Sequence, residues 1–122
     1  MIFAIQVEVH PTEDPGRVRA AVLALFPDAA EEPARPGTVR FSARDPSALA
    51  EKLARQRIRD TARAVFLRSL RSGRIRFLLN KQAALAGRVN FAEPGSPLGD
   101  LEVEVATEHP EAAVDILAGV GE

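Results

Sequence analysis

The stretch RQRIRDTAR, Arg55 to Arg63, packs four arginines, one aspartate and two apolar residues into nine positions. A guanidinium is a planar fork of N–H donors that fits a carboxylate, a phosphate or a pair of backbone carbonyls. Two chemistries are therefore open to it: holding this fold together, or holding an external anion such as the phosphates of RNA. The basic charge extends beyond this stretch. Between Lys52 and Arg88 lie 11 basic residues and one acid, Asp60, for a local charge of +10; the rest of the chain has 5 basic and 16 acidic residues, for −11. The net charge of −1 hides this separation, which makes a bipolar surface if it survives folding. Fourteen of the 16 basic residues are arginine, but that bias runs through the whole chain and says little about any one site.

Other chemistry is poorly supplied. There is no cysteine, hence no disulfide, thiolate nucleophile or cysteine metal site. His10 and His109 are the only imidazoles, one ending a strand pattern and the other preceding Pro110, and both read as surface or capping residues. His10, Glu13 and Asp14 match no strong metal-ligand spacing, and Asp14 already suits a helix cap. Ser42, Ser47, Ser69, Ser72 and Ser96 lie in no nucleophile motif. PGSPLG is not a phosphate loop, because no Gly-Lys-Ser/Thr ending follows it. No enzyme, metal or cofactor is expected.

The elements that would position the arginines follow from periodicity. IFAIQVEVH alternates, with Phe3, Ile5, Val7 and Val9 inward. EDPGRVRAAVLALFP has Asp14 as N-cap, Pro15 in the first turn and Val18, Val22, Leu25 and Phe26 at helical spacing. A short strand near Ala30 to Ala34 precedes RPGTVRFSA, a turn into a strand with Val39, Phe41 and Ala43 inward. DPSALAEKL starts a second helix at Asp45 and Pro46, with Leu49 and Leu53 inward. Ile58, Ala62, Val65, Phe66 and Leu70 are helical too, but the step of five from Leu53 to Ile58 breaks the register. A kink, or two helices meeting near Gln56, is expected, with Gly73 ending the region. IRFLLN reads as a strand, KQAALAG as a tight connection or one helical turn, RVNFAE as a strand and PGSPLG as a turn. LEVEVAT alternates with Leu101, Val103 and Val105 inward, and HPEAAVDILAG is a proline-started helix.

The sum is one α+β domain over residues 1–122, a mostly antiparallel sheet with helices on one face. Glu8, Glu102 and Glu104 point outward, so an acidic open sheet face is expected. Met1 to Val9 is short and lacks a basic flank, unlike a signal peptide, and no run reaches the roughly 18 apolar residues of a membrane span. A soluble, cytoplasmic protein is expected.

On a continuous helix, Arg55, Arg59 and Arg63 fall along one shoulder of the apolar face, where stems pack and heads reach carbonyls or carboxylates. A structural role is favoured for Arg59 and Arg63, and Asp60 is placed to pair with Arg57 or Arg63. Arg57, Arg68 and Arg71 fall on the solvent side and, with Arg74 and Arg76, offer a stripe to phosphates. A solvated face partly neutralised by acids elsewhere is the alternative. There is no tryptophan or tyrosine, and the phenylalanines look like core, so any RNA is met by shape and backbone rather than by base stacking. In LNKQAALAGRVNF, the groups of Asn80, Lys81, Gln82, Arg88 and Asn90 suit either base contacts or the closing of a turn.

HPTEDP, QRIRDTAR, LNKQAA, VNF and PLG occur in that order. Together they resemble an archaeal family of uncharacterised proteins in the UPF series, also catalogued as a predicted RNA-binding domain. The resemblance runs from Val9 to about Val105. It implies a fold like that of the large-subunit ribosomal protein that binds 5S RNA. It also carries interest onto Arg57, Arg59, Asp60, Arg63, Asn80, Lys81 and Gln82, with the middle arginines tying the LNKQAA connection as one account of them. The chain ends VDILAGVG where the family pattern suggests a tryptophan and a proline. The expectation is a non-enzymatic RNA-binding domain, with structured RNA as partner. Arg57, Arg68, Arg71, Arg74, Arg76, Lys81 and Arg88 would meet phosphates, Asn80 and Gln82 would meet bases or sugars, and Arg55, Arg59, Asp60 and Arg63 would be structural or anion-binding. The alternative is a protein–protein interaction or homodimerisation module with no nucleic-acid role.

Overall fold

The computed structural model describes residues 1–93 and 99–119. Ser96 and most of PGSPLG lie outside the described residues. The elements run β1 (Ile2–Glu8), α1 (Pro15–Leu25), β2 (Ala30–Glu32), β3 (Thr38–Ala43), α2 (Ser47–Arg55), α3 (Arg59–Ser69), β4 (Arg74–Asn80), α4 (Lys81–Leu85), β5 (Asp100–Ala106) and α5 (Pro110–Ala118). The strands form one sheet in the order β2-β3-β1-β5-β4, antiparallel at every pairing.

Alternation decides which face of the sheet is covered. Phe3, Ile5 and Val7, then Val39, Phe41 and Ala43, Ile75, Phe77 and Leu79, and Leu101, Val103 and Val105 are all buried. They share one core with Val18, Val22, Leu25, Leu49, Leu53, Ala62, Phe66, Val114 and Leu117 of the helices. The helices therefore lie on one face and the other face is open, the α+β layering expected from the pattern. The open face is not uniformly acidic, however. Arg40, Arg74 and Arg76 stand on it beside Glu102 and Glu104, because β3 and β4 alternate as strictly as β5.

The step of five after Leu53 is a break between two helices. The α2 helix ends in a Schellman motif: Arg57 N–H donates to Ala54 O (3.1 Å) and Ile58 N–H to Leu53 O (3.1 Å). Arg57 has φ 59°, the left-handed conformation that glycine usually supplies at this position. Glycine does supply it at the end of α4, where Gly87 (φ 76°) donates to Ala84 O and Arg88 to Ala83 O.

Two element boundaries differ from expectation. Helix α3 ends at Ser69, before Gly73. Ser72 (φ 51°) and Gly73 (φ 76°) instead form a two-residue turn, across which Arg71 and Arg74 exchange both backbone hydrogen bonds (2.8 and 2.9 Å). RVNFAE is not a full strand. It makes a single bridge, Phe91 to Leu79, flanked by Asn80 N–H to Asn90 O and Ala92 N–H to Leu78 O. Together the turn and this bridge cover both ends of the exposed edge of β4, as edge strands generally require.

Candidate nucleic-acid interface

The structure divides the arginines and polar residues singled out in the sequence among four places, the last of them the contact between α3 and α5. The first is a groove of about 970 Å³ between the end of α3 and the open face of the sheet. Arg68 comes from the last turn of α3, Arg71 from the turn after it, and Arg74 and Arg76 from the outward side of β4. Val65, Phe77, Leu78 and Phe91 supply apolar wall, and Glu8, Glu93, Asp100, Glu102 and Glu104 also line it. Four of the five arginines expected to form a stripe thus line one groove, brought there by a helix, a turn and a strand rather than by one helix face; Arg57, expected with them, lies apart in the α2–α3 junction.

The four arginines are not equivalent. Arg74 pairs with Glu104 and Arg76 with Glu102 across the β4–β5 ladder. Arg71 donates to Arg68 O (3.1 Å) and Leu70 O (2.8 Å), placing a cation on the last carbonyls of α3. Arg68 is exposed and has no carboxylate partner among the described residues. Phe91 is half-buried, edge-on to Phe66 (5.8 Å) and Phe77 (5.9 Å), so one aromatic of the core reaches the groove wall. Phe91 thus departs from the expectation that every phenylalanine belongs to the core, while the other five are buried.

The second place is a clasp between the α2–α3 junction and the segment after α4. Gln56 Nε2 donates to Val89 O (2.7 Å) and Val89 N–H donates to Gln56 Oε1 (2.8 Å). Lys52 Nζ donates to Gly87 O (2.9 Å). The segment that follows LNKQAA is therefore tied by Gln56 and Lys52, not by arginines: a flat amide can pair with a peptide group in both directions at once, which a guanidinium cannot. Arg57 and Arg88 are exposed on either side of this clasp. Arg55 is exposed and paired with Glu51 one turn back.

The third place is buried. Lys81 is 2 % exposed. Its ammonium donates to Glu8 O (2.6 Å) and to Glu13 (3.0 Å). That removes Lys81 from any surface for phosphates and makes it the tie between β1, the HPTEDP loop and α4. Burial works against the charge of Glu13, but the His10 backbone N–H and Lys81 outweigh it and hold its carboxyl below the usual carboxylate range. Asp100 shifts the other way. Burial raises its carboxyl, Lys81 offsets part of this and Glu102 adds to it. Glu13 is thus engaged by Lys81, while Asp14 caps α1 through Gly16 N–H (2.9 Å), so the trio with His10 does not form a ligand set. Asn80 caps α4 by accepting from Ala83 N–H (2.9 Å), which commits its oxygen; Gln82 is exposed.

Arg59 and Arg63 both face α5. Arg63 pairs with Asp115 (2.8 Å), not with Asp60. Arg59 lies over Gly119, where an added Cβ would sit 2.8 Å from its Nη1. The α2–α3 break takes Arg55 off the shoulder these two share. Asp60 is exposed in the first turn of α3, where a negative charge suits the helix dipole.

A family model described as RNA binding matches residues 3–107. A UPF0201 protein of Methanopyrus kandleri is 43 % identical over 116 residues, covering 84 % of this chain and 73 % of its own length. Another, from Methanothermobacter thermautotrophicus, is 39 % identical over 117 residues, covering 93 % of this chain and 88 % of its own. The chain belongs to the UPF0201 family. Within UPF0201, a crystal structure of an uncharacterised member superposes with a TM-score of 0.90 at 30 % identity, covering 98 % of this chain and 94 % of that one. The UPF0201 protein of Methanococcus jannaschii gives 0.88 at 29 % identity, covering 100 % and 96 %.

Proposed function

We propose that this UPF0201 protein is a non-enzymatic RNA-binding domain and that the groove at the α3–β4 edge is where RNA sits. The observation that carries this reading is the convergence of Arg68, Arg71, Arg74 and Arg76 on one groove from three separate elements. Arg68 is exposed in this groove with no carboxylate partner among the described residues, so its fork is open to an external anion. The family model's description as RNA binding supports the same reading. Phosphates would lie against Arg68 and Arg71. Arg57 and Arg88, exposed beside the clasp, would extend the contact, since the chain from Arg88 to Phe91 runs from the clasp to the groove wall. The half-buried ring of Phe91 gives a single unstacked base something to rest on.

The test is a titration of fluorescent structured RNA, single-stranded RNA and duplex DNA at two salt concentrations, with Arg68→Ala/Arg71→Ala alongside. Affinity falls with salt by about 0.9 log units per log unit for each phosphate neutralised. Four contacts therefore mean a loss on the order of a hundredfold between 50 and 200 mM. Salt-steep binding that prefers RNA and is lost in the double variant is the expected result. Absence of binding at low salt, with concentration-dependent assembly instead, would make the groove a protein interface.

A further inference from the structure

The two ion pairs on the groove floor repeat one geometry. In the β4–β5 register Arg74 stands opposite Ala106, Arg76 opposite Glu104 and Leu78 opposite Glu102. Each guanidinium reaches not the residue directly opposite but the next outward one along β5, so the pairs are Arg74–Glu104 and Arg76–Glu102. Both arginine side chains are about two-thirds exposed (64 % and 66 %), while the carboxylates lie lower, at 37 % and 39 %. The carboxylates sit on the floor and the guanidiniums lie above them. A carboxylate meets a guanidinium with the same in-plane oxygens that a phosphate would use.

We infer that Glu102 and Glu104 are built-in competitors that set the specificity of the groove by occupying the forks of Arg74 and Arg76. This rests on the RNA-binding reading above. An exposed ion pair contributes little net stability, so a phosphate can displace either carboxylate. The displaced carboxylate cannot leave, however. It stays fixed in the sheet beneath the incoming phosphate and repels it. A polyanion that touches only Arg74 and Arg76 therefore gains little. A strand whose phosphates also reach Arg68 and Arg71, which have no such competitor among the described residues, gains in full. The groove accordingly selects RNA of a shape that spans from β4 to the end of α3, and rejects generic polyanions such as regular duplex DNA.

Glu102→Gln/Glu104→Gln keeps side-chain length and removes both competitors. Glu93→Gln removes one charge from the same groove without freeing a fork, since Glu93 pairs with no arginine among the described residues. Affinity for structured RNA and for a duplex DNA of equal length is measured across salt. For the double variant the expected result is about tenfold tighter binding of RNA and a larger gain for DNA, so that selectivity falls. Its salt slope should steepen by about two, because two more phosphates are neutralised. Each single variant should give about half the slope change, and Glu93→Gln should leave the slope as it was. If the native protein binds RNA but the double variant keeps the same slope and selectivity, the competitor role is overturned and the RNA reading stands. If neither binds nucleic acid at low salt, the RNA reading fails and this inference with it.

Discussion

The ammonium of Lys81 donates to a backbone carbonyl and a carboxylate at once, on a side chain that is 1 % exposed beside a Glu13 side chain that is 12 % exposed. Removing one member of such a pair strands the other in a poorly solvated site, at a cost of about 3 kcal/mol. Lys81→Met should lose about that much stability in urea unfolding, whereas an exposed lysine would lose almost nothing. The pH dependence follows from Glu13. Its folded carboxyl is held below the unfolded value, so its contribution is fully present above the unfolded pKa and is lost as pH falls through the folded one. Glu13→Gln should flatten the acid limb of the stability curve below about pH 4.5, near the ordinary glutamate range. A thermal melt series from pH 3 to 7 would show it. None of this was legible in the residues: LNKQAA shows a lysine in a polar run, and only its contact with Glu8 and Glu13, over seventy and sixty-eight positions away, decides that it is buried.

Helix ends carry the second set of consequences. The α2 and α4 helices close with the same motif, one with Gly87 and the other with Arg57 in the left-handed conformation. That conformation costs a residue with a Cβ about 1 kcal/mol. Arg57→Gly should therefore raise the melting temperature, and on the proposed function it should also weaken RNA binding, which a purely structural arginine would not do. Gln56→Ala should cost about 2 kcal/mol, since it leaves both backbone groups of Val89 without their partners. Strands and helices themselves were legible, because period-two and period-3.6 patterns such as those of β1 and α1 need no long-range contact to be seen. The break at Gln56 was legible too, from the step of five. A helical spacing does not carry across that break: Arg55 closes α2 and Arg57 lies in the junction, so neither shares a face with the arginines of α3. RVNFAE failed for a different reason. Its alternation is real, but Phe91 bridges β4 at one point only and the segment leaves the edge.

Across the whole molecule the charge segregation of the sequence is partly undone in space. Arg55, Arg63, Arg74, Arg76 and Lys81 each find an acid outside the basic segment: Glu51, Asp115, Glu104, Glu102 and Glu13. Within the basic segment, the exposed cations left without a carboxylate are Arg68 and Arg71 at the end of α3 and Arg57 and Arg88 beside the clasp; Arg17, Arg35, Arg40 and Arg44 are exposed and without a carboxylate elsewhere on the described surface. The signal for the two sheet pairs was present as alternating Arg74/Arg76 and Glu102/Glu104, but it could be used only once β4 and β5 were known to be neighbours. Mapping these remaining cations is also the most direct test of the account. Backbone amide and arginine Nε shifts would be followed as structured RNA is titrated into labelled protein. The account expects the largest changes at Arg68, Arg71 and Phe91, smaller ones at Arg57, Arg74, Arg76 and Arg88, and none at Lys81. Changes centred on the exposed Leu67 and Ile116, with the groove unmoved, would contradict it.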